Sequence, residues 1–312
     1  MSPRRLMFWI LFAGTLLAGA HVAEAKCNLE LQDLSSVQWR GATGAGYGAF
    51  DGSTLAQAVN FKVESEGSSC SFFVGVVSRS SRDPGRRVLS DDYDTLSYQI
   101  YRDNTLGTIL RDTPEAASSE VLSGVISNKQ TVAMQFYLSI PPLQIATPGE
   151  YEDTIEIRLY EGTVAQPILN DTKTISFKAK VPTVSELSFT GGSFDLASRS
   201  TTLRFDPART GATGAVSLWA RSNTRYILFA ESQNGGQLEN LDAAETDVIR
   251  YTMQVDGYTI PLFRGVPFPV GVRTNPTTAS GWQHSFNFTL GTVDTQSAGE
   301  YRDVVTITLS TY

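Results

Sequence analysis

Pro148-Gly149-Glu150-Tyr151-Glu152-Asp153-Thr154-Ile155-Glu156-Ile157-Arg158-Leu159 is the stretch that decides the fold. It recurs near the end of the sequence as Ala298-Gly299-Glu300-Tyr301-Arg302-Asp303-Val304-Val305-Thr306-Ile307-Thr308-Leu309. In both copies a glycine and a tyrosine precede apolar residues that alternate with polar ones, which is the period of a half-buried β-strand. A repeat at this distance predicts a duplicated β-domain rather than a short-period solenoid.

The rest of the chain has the same pattern of short strands. Apolar residues alternate or form short runs, and turn-forming residues separate them at intervals typical of a β-sandwich. The predicted strands are residues 28–37, 56–64, 69–78, 95–102, 131–140, 151–160 and 172–181 in the first half, and 184–189, 215–220, 226–231, 248–256, 285–290 and 301–310 in the second. The sequence therefore predicts an all-β protein with two immunoglobulin-like β-sandwiches in tandem.

The two halves differ at their ends. Residues 172–181 supply a closing strand after the Tyr151 copy, whereas the sequence ends at Tyr312 soon after the Tyr301 copy. We therefore expect the second sandwich to lack its final strand and to present an open edge, which is a template for a partner strand. The alternative is a closed second sandwich. The predicted lining of the open groove is Phe263, Val266, Phe268 and Tyr312.

The predicted boundaries divide the chain into three parts. Residues 1–25 are a cleaved signal peptide, residues 26–181 a complete sandwich and residues 182–312 an incomplete one. Arg4 and Arg5 precede an apolar stretch that is short for a membrane span, and Ala23-Glu24-Ala25 fits a cleavage site. The formal net charge of −7 argues against nucleic acid as a partner.

The composition favours a disulfide and disfavours enzymatic chemistry. Cys27 and Cys70 are the two cysteines, and export makes a disulfide between them the expected state, with two buried thiols as the alternative. His284 is the one histidine outside the predicted signal peptide, so a His-based metal site or a Ser-His-Asp triad has little to draw on. We predict no catalytic residue, no cofactor and no metal, and a solvent-facing strand position for His284.

Several of these residues together resemble a known family. Cys27, Leu96-Ser97-Tyr98-Gln99-Ile100-Tyr101 and Tyr301-Arg302-Asp303-Val304-Val305-Thr306-Ile307 occur in an order that resembles the spore coat protein U domain family of secreted bacterial proteins. Ser222-Asn223-Thr224-Arg225-Tyr226 and Gly235-Gly236 add to this pattern, which extends over nearly all of the chain after the signal peptide. The second half departs from a common pattern of the family because it contains no cysteine.

The resemblance implies a function in adhesion. The family includes subunits of archaic chaperone–usher pili that support biofilm formation, and a two-domain member resembles their tip adhesins. It implies a binding domain followed by a pilin domain, with a periplasmic chaperone, an outer-membrane usher and the donor strand of the next pilus subunit as partners. The expected location is the cell surface, at the pilus tip, where the adhesin would bind an abiotic or host surface.

Strand direction predicts where such binding would occur. Successive antiparallel strands alternate direction, so the loops at residues 64–69, 103–130 and 161–167 share the pole of the first sandwich that points away from the second. Exposed apolar loop tips there would form a patch for hydrophobic surfaces. The predicted surface-binding residues are Leu106, Ile109, Leu110, Val164 and Ile168. The alternative is that Ile109 and Leu110 pack inward on a small extra strand.

Two other functions compete with the adhesin. One is a structural coat or matrix protein, or a pilus subunit that polymerises by strand exchange; a donor-like N-terminal arm would favour it, but the first predicted strand starts directly after the signal peptide. The other is a carbohydrate-binding or hydrolytic sandwich, since loop carboxylates can imitate a glycosidase pair.

Overall fold

The computed structural model describes residues 27–242 and 246–312, and the predicted signal peptide lies outside these residues. The strands are β1 (Leu29–Gln32), β2 (Val37–Trp39), β3 (Gln57–Ser65), β4 (Cys70–Ser78), β5 (Val88–Ser90), β6 (Thr95–Ser97), β7 (Gln99–Tyr101), β8 (Leu122–Ile126), β9 (Thr131–Ser139), β10 (Gly149–Thr163), β11 (Gln166–Val181), β12 (Ser185–Ser188), β13 (Thr213–Ser222), β14 (Tyr226–Ser232), β15 (Gln237–Asn240), β16 (Val248–Val255), β17 (Tyr258–Ile260), β18 (Phe268–Arg273), β19 (Trp282–Leu290), β20 (Tyr301–Arg302) and β21 (Val305–Thr311). Short 3-10 turns at Pro84–Arg86, Ser118–Glu120 and Ala197–Arg199 are the only helical elements of the described residues. Nothing in these ranges forms a helix long and apolar enough to cross a membrane.

Strands β1 to β11 form the first sandwich. Sheet 1 has the strand order β1-β3-β9-β7, and sheet 2 has the order β2-β11-β10-β4-β8 with β5 and β6 paired at its margin. The core between them includes the buried rings of Phe61, Phe136 and Phe177. The long antiparallel hairpin β10–β11 crosses sheet 2, and β2 pairs in parallel with β11. The sandwich is therefore closed on this side by its own chain.

Strands β12 to β21 form the second sandwich. Sheet 3 has the order β12-β13-β19-β16-β15-β20, with β17 paired to β16, and sheet 4 has the order β18-β14-β21. Its core is smaller and centres on Leu218, Met253 and Phe286. Among the residues that the structure describes, no strand of the first sandwich pairs with a strand of the second.

The all-β prediction is confirmed, and the long strands lie where the alternating pattern places them. The strands that were not predicted are β5, β8, β15, β17 and β18, and only Val37 of β2 falls within a predicted strand. Most of them are short, and β18 contains Pro269 and Gly271, which are poor strand formers. Pairing with a longer neighbour holds these segments in sheets, and local sequence does not report that pairing.

The predicted disulfide between Cys27 and Cys70 is present. The two Cα atoms are 6.2 Å apart, and the bond joins the residue before β1 to the first residue of β4. Cys27 is completely buried. The bond lies beside Glu161 of β10, so it braces the pole at which the β10–β11 hairpin turns.

Candidate functional site

A tyrosine corner stands at the start of β10 in the first sandwich and of β20 in the second. The hydroxyl of Tyr151 donates a hydrogen bond to the Thr147 carbonyl at 2.8 Å, and the hydroxyl of Tyr301 donates to the Ser297 carbonyl at 2.7 Å. Both bonds join a residue to the one four positions earlier. The corner fixes where β10 and β20 begin, and hence their register with the neighbouring strands.

An aspartate follows the corner tyrosine in the first sandwich and faces inward. Asp153 accepts hydrogen bonds from the hydroxyls of Ser78 at 2.6 Å and Tyr98 at 2.7 Å. Burial raises the pKa of Tyr98, and the Asp153 carboxylate raises it further. The Asp153 side chain is thus held in the core by two hydroxyl donors.

The second sandwich repeats this arrangement. Asp303 accepts hydrogen bonds from the hydroxyls of Ser232 at 2.6 Å and Tyr251 at 2.6 Å. The strand registers also agree, since Ile155 pairs with Ser78 and Val305 pairs with Ser232. Residues 151–161 of β10 therefore have defined counterparts at residues 301–311, which include β20 and β21.

The two sandwiches differ at the outer edge of this strand. β10 pairs with β4 on one side and with β11 on the other. Its counterpart β21 pairs with β14 on one side, and within residues 27–242 and 246–312 no strand pairs with its other edge. The expected open edge of the second sandwich is therefore present in the described structure.

Exposure along the two strands shows the consequence. The inward apolar residues of β10 have no exposed surface: Ile155, Ile157 and Leu159. Their counterparts in β21 are only partly buried: Val305, Ile307 and Leu309. Leu187 of the adjacent strand β12 is also partly buried against the second core. An apolar groove thus runs along the free edge of β21.

Sheet 4 has a second edge, at β18, that is poorly suited to accept a strand. Pro269 lies within β18 and cannot donate a backbone hydrogen bond, and a bulge interrupts the pairing of β18 with β14 between Leu228 and Phe229. Such features blunt sheet edges. β21 has none of them, because Val305–Thr311 contains no proline, glycine, charge or bulge.

Three of the four residues predicted to line the groove lie in another place. Phe263 and Val266 face each other across a short bridge, are each about half exposed, and adjoin Phe268 of β18. β14 lies between β18 and β21, so these three residues are not beside the free edge. Tyr312 follows β21 and carries the Arg225 guanidinium over its ring at 5.2 Å.

An exposed apolar patch lies around the β10–β11 hairpin of the first sandwich. We call Val125, Ile168 and Leu169 the hairpin patch; their exposed fractions are 75%, 56% and 56%. Strand register puts Val125 and Leu169 on the outer face of sheet 2, where the buried rings of Phe73 and Tyr160 stack at 4.7 Å. Ile168 precedes Leu169 in β11 and therefore lies on the opposite face, across from Glu161. Val125 and Leu169 therefore continue a packed apolar cluster outward into solvent, and Ile168 adds exposed apolar surface on the other face of the hairpin.

The predicted surface-binding residues are mostly covered. Leu110 is completely buried in the first core, so its assignment to a binding surface is wrong. Ile109 forms a bridge with Tyr101 and is partly buried, as the alternative of an inward-packed extra strand expected. Leu106 is partly buried, and Val164 packs against the cluster under the hairpin. Ile168 alone of the five is largely exposed.

The segment that carries these residues is anchored rather than free. Asp112 is 8% exposed, accepts a hydrogen bond from the Tyr160 hydroxyl at 3.0 Å and pairs with Arg158 at 2.8 Å. Ala116 and Val121 cover Phe73 and Tyr160. The segment therefore lies flat on sheet 2, which leaves the hairpin as the projecting part. Apolar residues occur in both the covered segment and the projecting hairpin, so the sequence does not show which of them are exposed.

A compact joint connects the two sandwiches. Asn223 is completely buried; its amide nitrogen donates to the carbonyls of Ala146 at 3.2 Å and Pro182 at 2.9 Å, and its oxygen accepts from the Val184 N–H at 2.8 Å. Its side chain thus ties a loop of the first sandwich and the linker to the second.

An arginine next to this asparagine adds a second contact across the joint. The Arg221 guanidinium lies between the ring of Phe50, in a glycine-rich loop of the first sandwich, at 4.8 Å and the ring of Phe194, in the second, at 4.1 Å. It also pairs with Glu186. The loop itself is fixed by Tyr47, which is 4% exposed and donates a hydrogen bond to the Pro141 carbonyl at 3.0 Å.

His284 is buried, which contradicts the predicted solvent-facing position. It is 4% exposed, and its ring joins Asp256 at 2.7 Å to the Tyr226 hydroxyl at 3.1 Å. Burial is the main cause that raises the pKa of Tyr226 to about 12. The charge of nearby Arg273 lowers this pKa, and that of Asp256 raises it. His284 and Phe286 are two residues apart on β19, so their side chains lie on the same, inward face. The solvent-facing prediction considered only that histidine is polar.

Comparison with known proteins finds a domain family that resembles part of the chain. Residues 15–158 match the sequence profile of the Spore Coat Protein U domain. This match covers a little less than half of the chain and shows what that part is similar to. The match runs from the predicted signal peptide into β10 and confirms the predicted resemblance for this part. Similarity of the second half to the Spore Coat Protein U domain rests on the internal repeat. No curated protein sequence matches the chain.

The chain is also similar, at low sequence identity, to several solved structures. A chain of the CsuC–CsuE chaperone–tip adhesion subunit complex from archaic chaperone-usher Csu pili of Acinetobacter baumannii is 13% identical, with 90% of this chain and 99% of that chain covered and a TM-score of 0.42. The CupB6 tip adhesin of Pseudomonas aeruginosa is 11% identical, with coverages of 91% and 94% and a TM-score of 0.39. CfaE, the adhesive subunit of CFA/I fimbria of enterotoxigenic Escherichia coli, is 12% identical, with coverages of 91% and 81% and a TM-score of 0.30.

Proposed function

We propose that the protein is a non-enzymatic tip adhesin of a chaperone–usher pilus. The observation that carries this proposal is the unpaired edge of β21, beside an apolar groove, in a chain whose other sandwich is closed by its own strand. Sheet edges of this kind bind a strand from another molecule by adding it to the sheet. The Spore Coat Protein U match in the first half supports the same class of protein.

The two sandwiches then have separate tasks. The second accepts the donor strand of the next pilus subunit, after a periplasmic chaperone has covered its edge and an outer-membrane usher has exchanged the chaperone for that strand. The first needs no partner strand, because β11 fills the equivalent position. It is free to bind an abiotic or host surface at the pilus tip on the cell surface and so to support biofilm formation.

The hairpin patch is the proposed binding surface. Its apolar side chains are exposed on a segment that the disulfide and the underlying ring cluster hold in place. Exposed apolar groups on a rigid base lose little conformational entropy when they bind, which favours attachment to hydrophobic surfaces. Ile168 is the one residue of the predicted binding set that belongs to this patch.

A paired substitution tests the binding surface. Ile168→Asp with Leu169→Asp puts one charge on each face of the hairpin, and attachment of piliated cells to a hydrophobic surface should fall at least tenfold. Leu196→Asp is the matched control, because Leu196 is 79% exposed but lies in the second sandwich. Pilus number, counted by electron microscopy, should be the same in all strains. Unchanged attachment by the paired variant would refute the hairpin patch as the binding surface.

A further inference from the structure

The closing strand of the first sandwich shows what an edge of this type packs against. Phe177 of β11 lies opposite Asp153, is completely buried, and packs edge-on against Tyr98 with ring centroids 5.1 Å apart. Ile175 lies opposite Ile155 and is also buried. Phe177 thus excludes water from the hydrogen bond between Tyr98 and Asp153.

The equivalent place in the second sandwich has no cover. Tyr251 and Asp303 make the same hydrogen bond at 2.6 Å, yet both side chains are only partly buried. Tyr98 and Asp153, by contrast, are 2% and 8% exposed. Burial already raises the pKa of Tyr251, and a carboxylate–phenol bond strengthens further when water is excluded. An aromatic ring that covered this position would therefore contribute strongly to the stability of the second sandwich.

The position next to it differs in charge between the two sandwiches. In the first, Glu152 pairs with Lys178 of β11 at 3.0 Å, and the two residues lie directly opposite each other. Arg302 occupies the place of Glu152 in the second sandwich. It lies opposite Glu239 of β15, but that carboxylate pairs with Arg264, and no other described residue forms an ion pair with Arg302. A partner strand with the charge pattern of β11 would put Lys against Arg, which is unfavourable.

We propose that the strand that completes the second sandwich carries an aromatic residue opposite Asp303 and an acidic residue opposite Arg302. It runs antiparallel to β21, as β11 runs to β10. A small residue faces Tyr301, where Ala179 faces Tyr151 in the first sandwich, and a β-branched residue faces Val305. This inference rests on the proposed function, and it specifies the partner strand by shape and charge.

The test uses the mature chain with a strand appended to its C-terminus through a flexible linker. The appended strand copies residues 172–181, with Lys178→Glu in the copy. We expect a monomer whose second sandwich melts cooperatively. Phe177→Ala in the copy should lower that melting temperature by about 10 °C, because loss of a buried ring costs several kcal/mol. Thr174→Ala in the copy is the control and should have little effect, since Thr174 is exposed in β11.

Restoring Lys178 in the copy tests the charge. The melting temperature should fall by about 2 °C at low salt, and the difference should shrink at high salt because the pair is exposed. If the copy gives monomers but Phe177→Ala acts no more strongly than Thr174→Ala, the aromatic position is wrong while strand acceptance stands. If no appended strand gives monomers or raises the melting temperature, strand acceptance itself is wrong.

Discussion

At the scale of single residues, the exposure of the two corner tyrosines shows how completely the core of each sandwich is covered. Tyr151 is completely buried, whereas Tyr301 is partly exposed. Tyr151→Phe removes the only donor in the bond to the Thr147 carbonyl, so we expect the free energy of unfolding of the first sandwich to fall by about 1–2 kcal/mol. Tyr301→Phe should cost less than half of that, since water reaches Ser297. Urea titrations that resolve the two sandwiches would measure both, and equal losses would contradict this difference in closure.

One carboxylate beside the corner gives the first sandwich an acid sensitivity. Burial would raise the pKa of Asp94, but hydrogen bonds from the Thr147 and Thr95 N–H groups outweigh it and hold the pKa below its usual value. A folded pKa below the unfolded value of about 4 means that this stability is present above pH 4 and is lost as the pH falls through the folded pKa. Asp94→Asn should therefore flatten the loss of melting temperature between pH 5 and about 2. An unchanged dependence of the melting temperature on pH would exclude Asp94 as the source of this acid sensitivity.

At the scale of strands, His284 links the two sheets of the second sandwich. It lies on β19 of sheet 3 and contacts Tyr226 of β14 in sheet 4. His284→Ala leaves a cavity and a buried hydroxyl without its partner, so we expect a loss of about 2–4 kcal/mol in the stability of the second sandwich. Gln283→Ala, at the exposed neighbouring position, should change it by less than about 0.5 kcal/mol. Chemical denaturation of the strand-complemented chain would compare them.

The strands also show what the sequence could and could not predict. β10 and the repeat around Tyr301 were predictable because a strand with one buried face alternates apolar and polar residues. The order of pairing was not, so Phe268 was assigned to the groove although β14 separates β18 from β21. The prediction that Leu110 is exposed was wrong for a related reason: a long loop can pack flat on a sheet, and its apolar residues then face inward.

At the scale of the whole molecule, the joint sets how the two sandwiches move together. Asn223 makes all of its side-chain contacts across or beside the linker, and Arg221 stacks on rings from both sandwiches. Asn223→Ala with Arg221→Ala should loosen the joint while each sandwich stays folded. Spin labels on the two sandwiches should then show a distance distribution at least twice as broad. Arg225→Ala is the control, because Arg225 lies near the joint but stacks on Tyr312. It should leave the distance distribution narrow.

The central claim is that the second sandwich is completed by a strand from another molecule. The most direct measurement is the association state of the mature chain, produced alone in the periplasm and, in parallel, with a chaperone or with an appended strand, by size-exclusion chromatography with light scattering. We expect aggregates or low soluble yield from the chain alone and a monomer, or a one-to-one chaperone complex, when the edge of β21 is covered. A stable monomer of the chain alone, with a second sandwich that unfolds cooperatively, would contradict the claim.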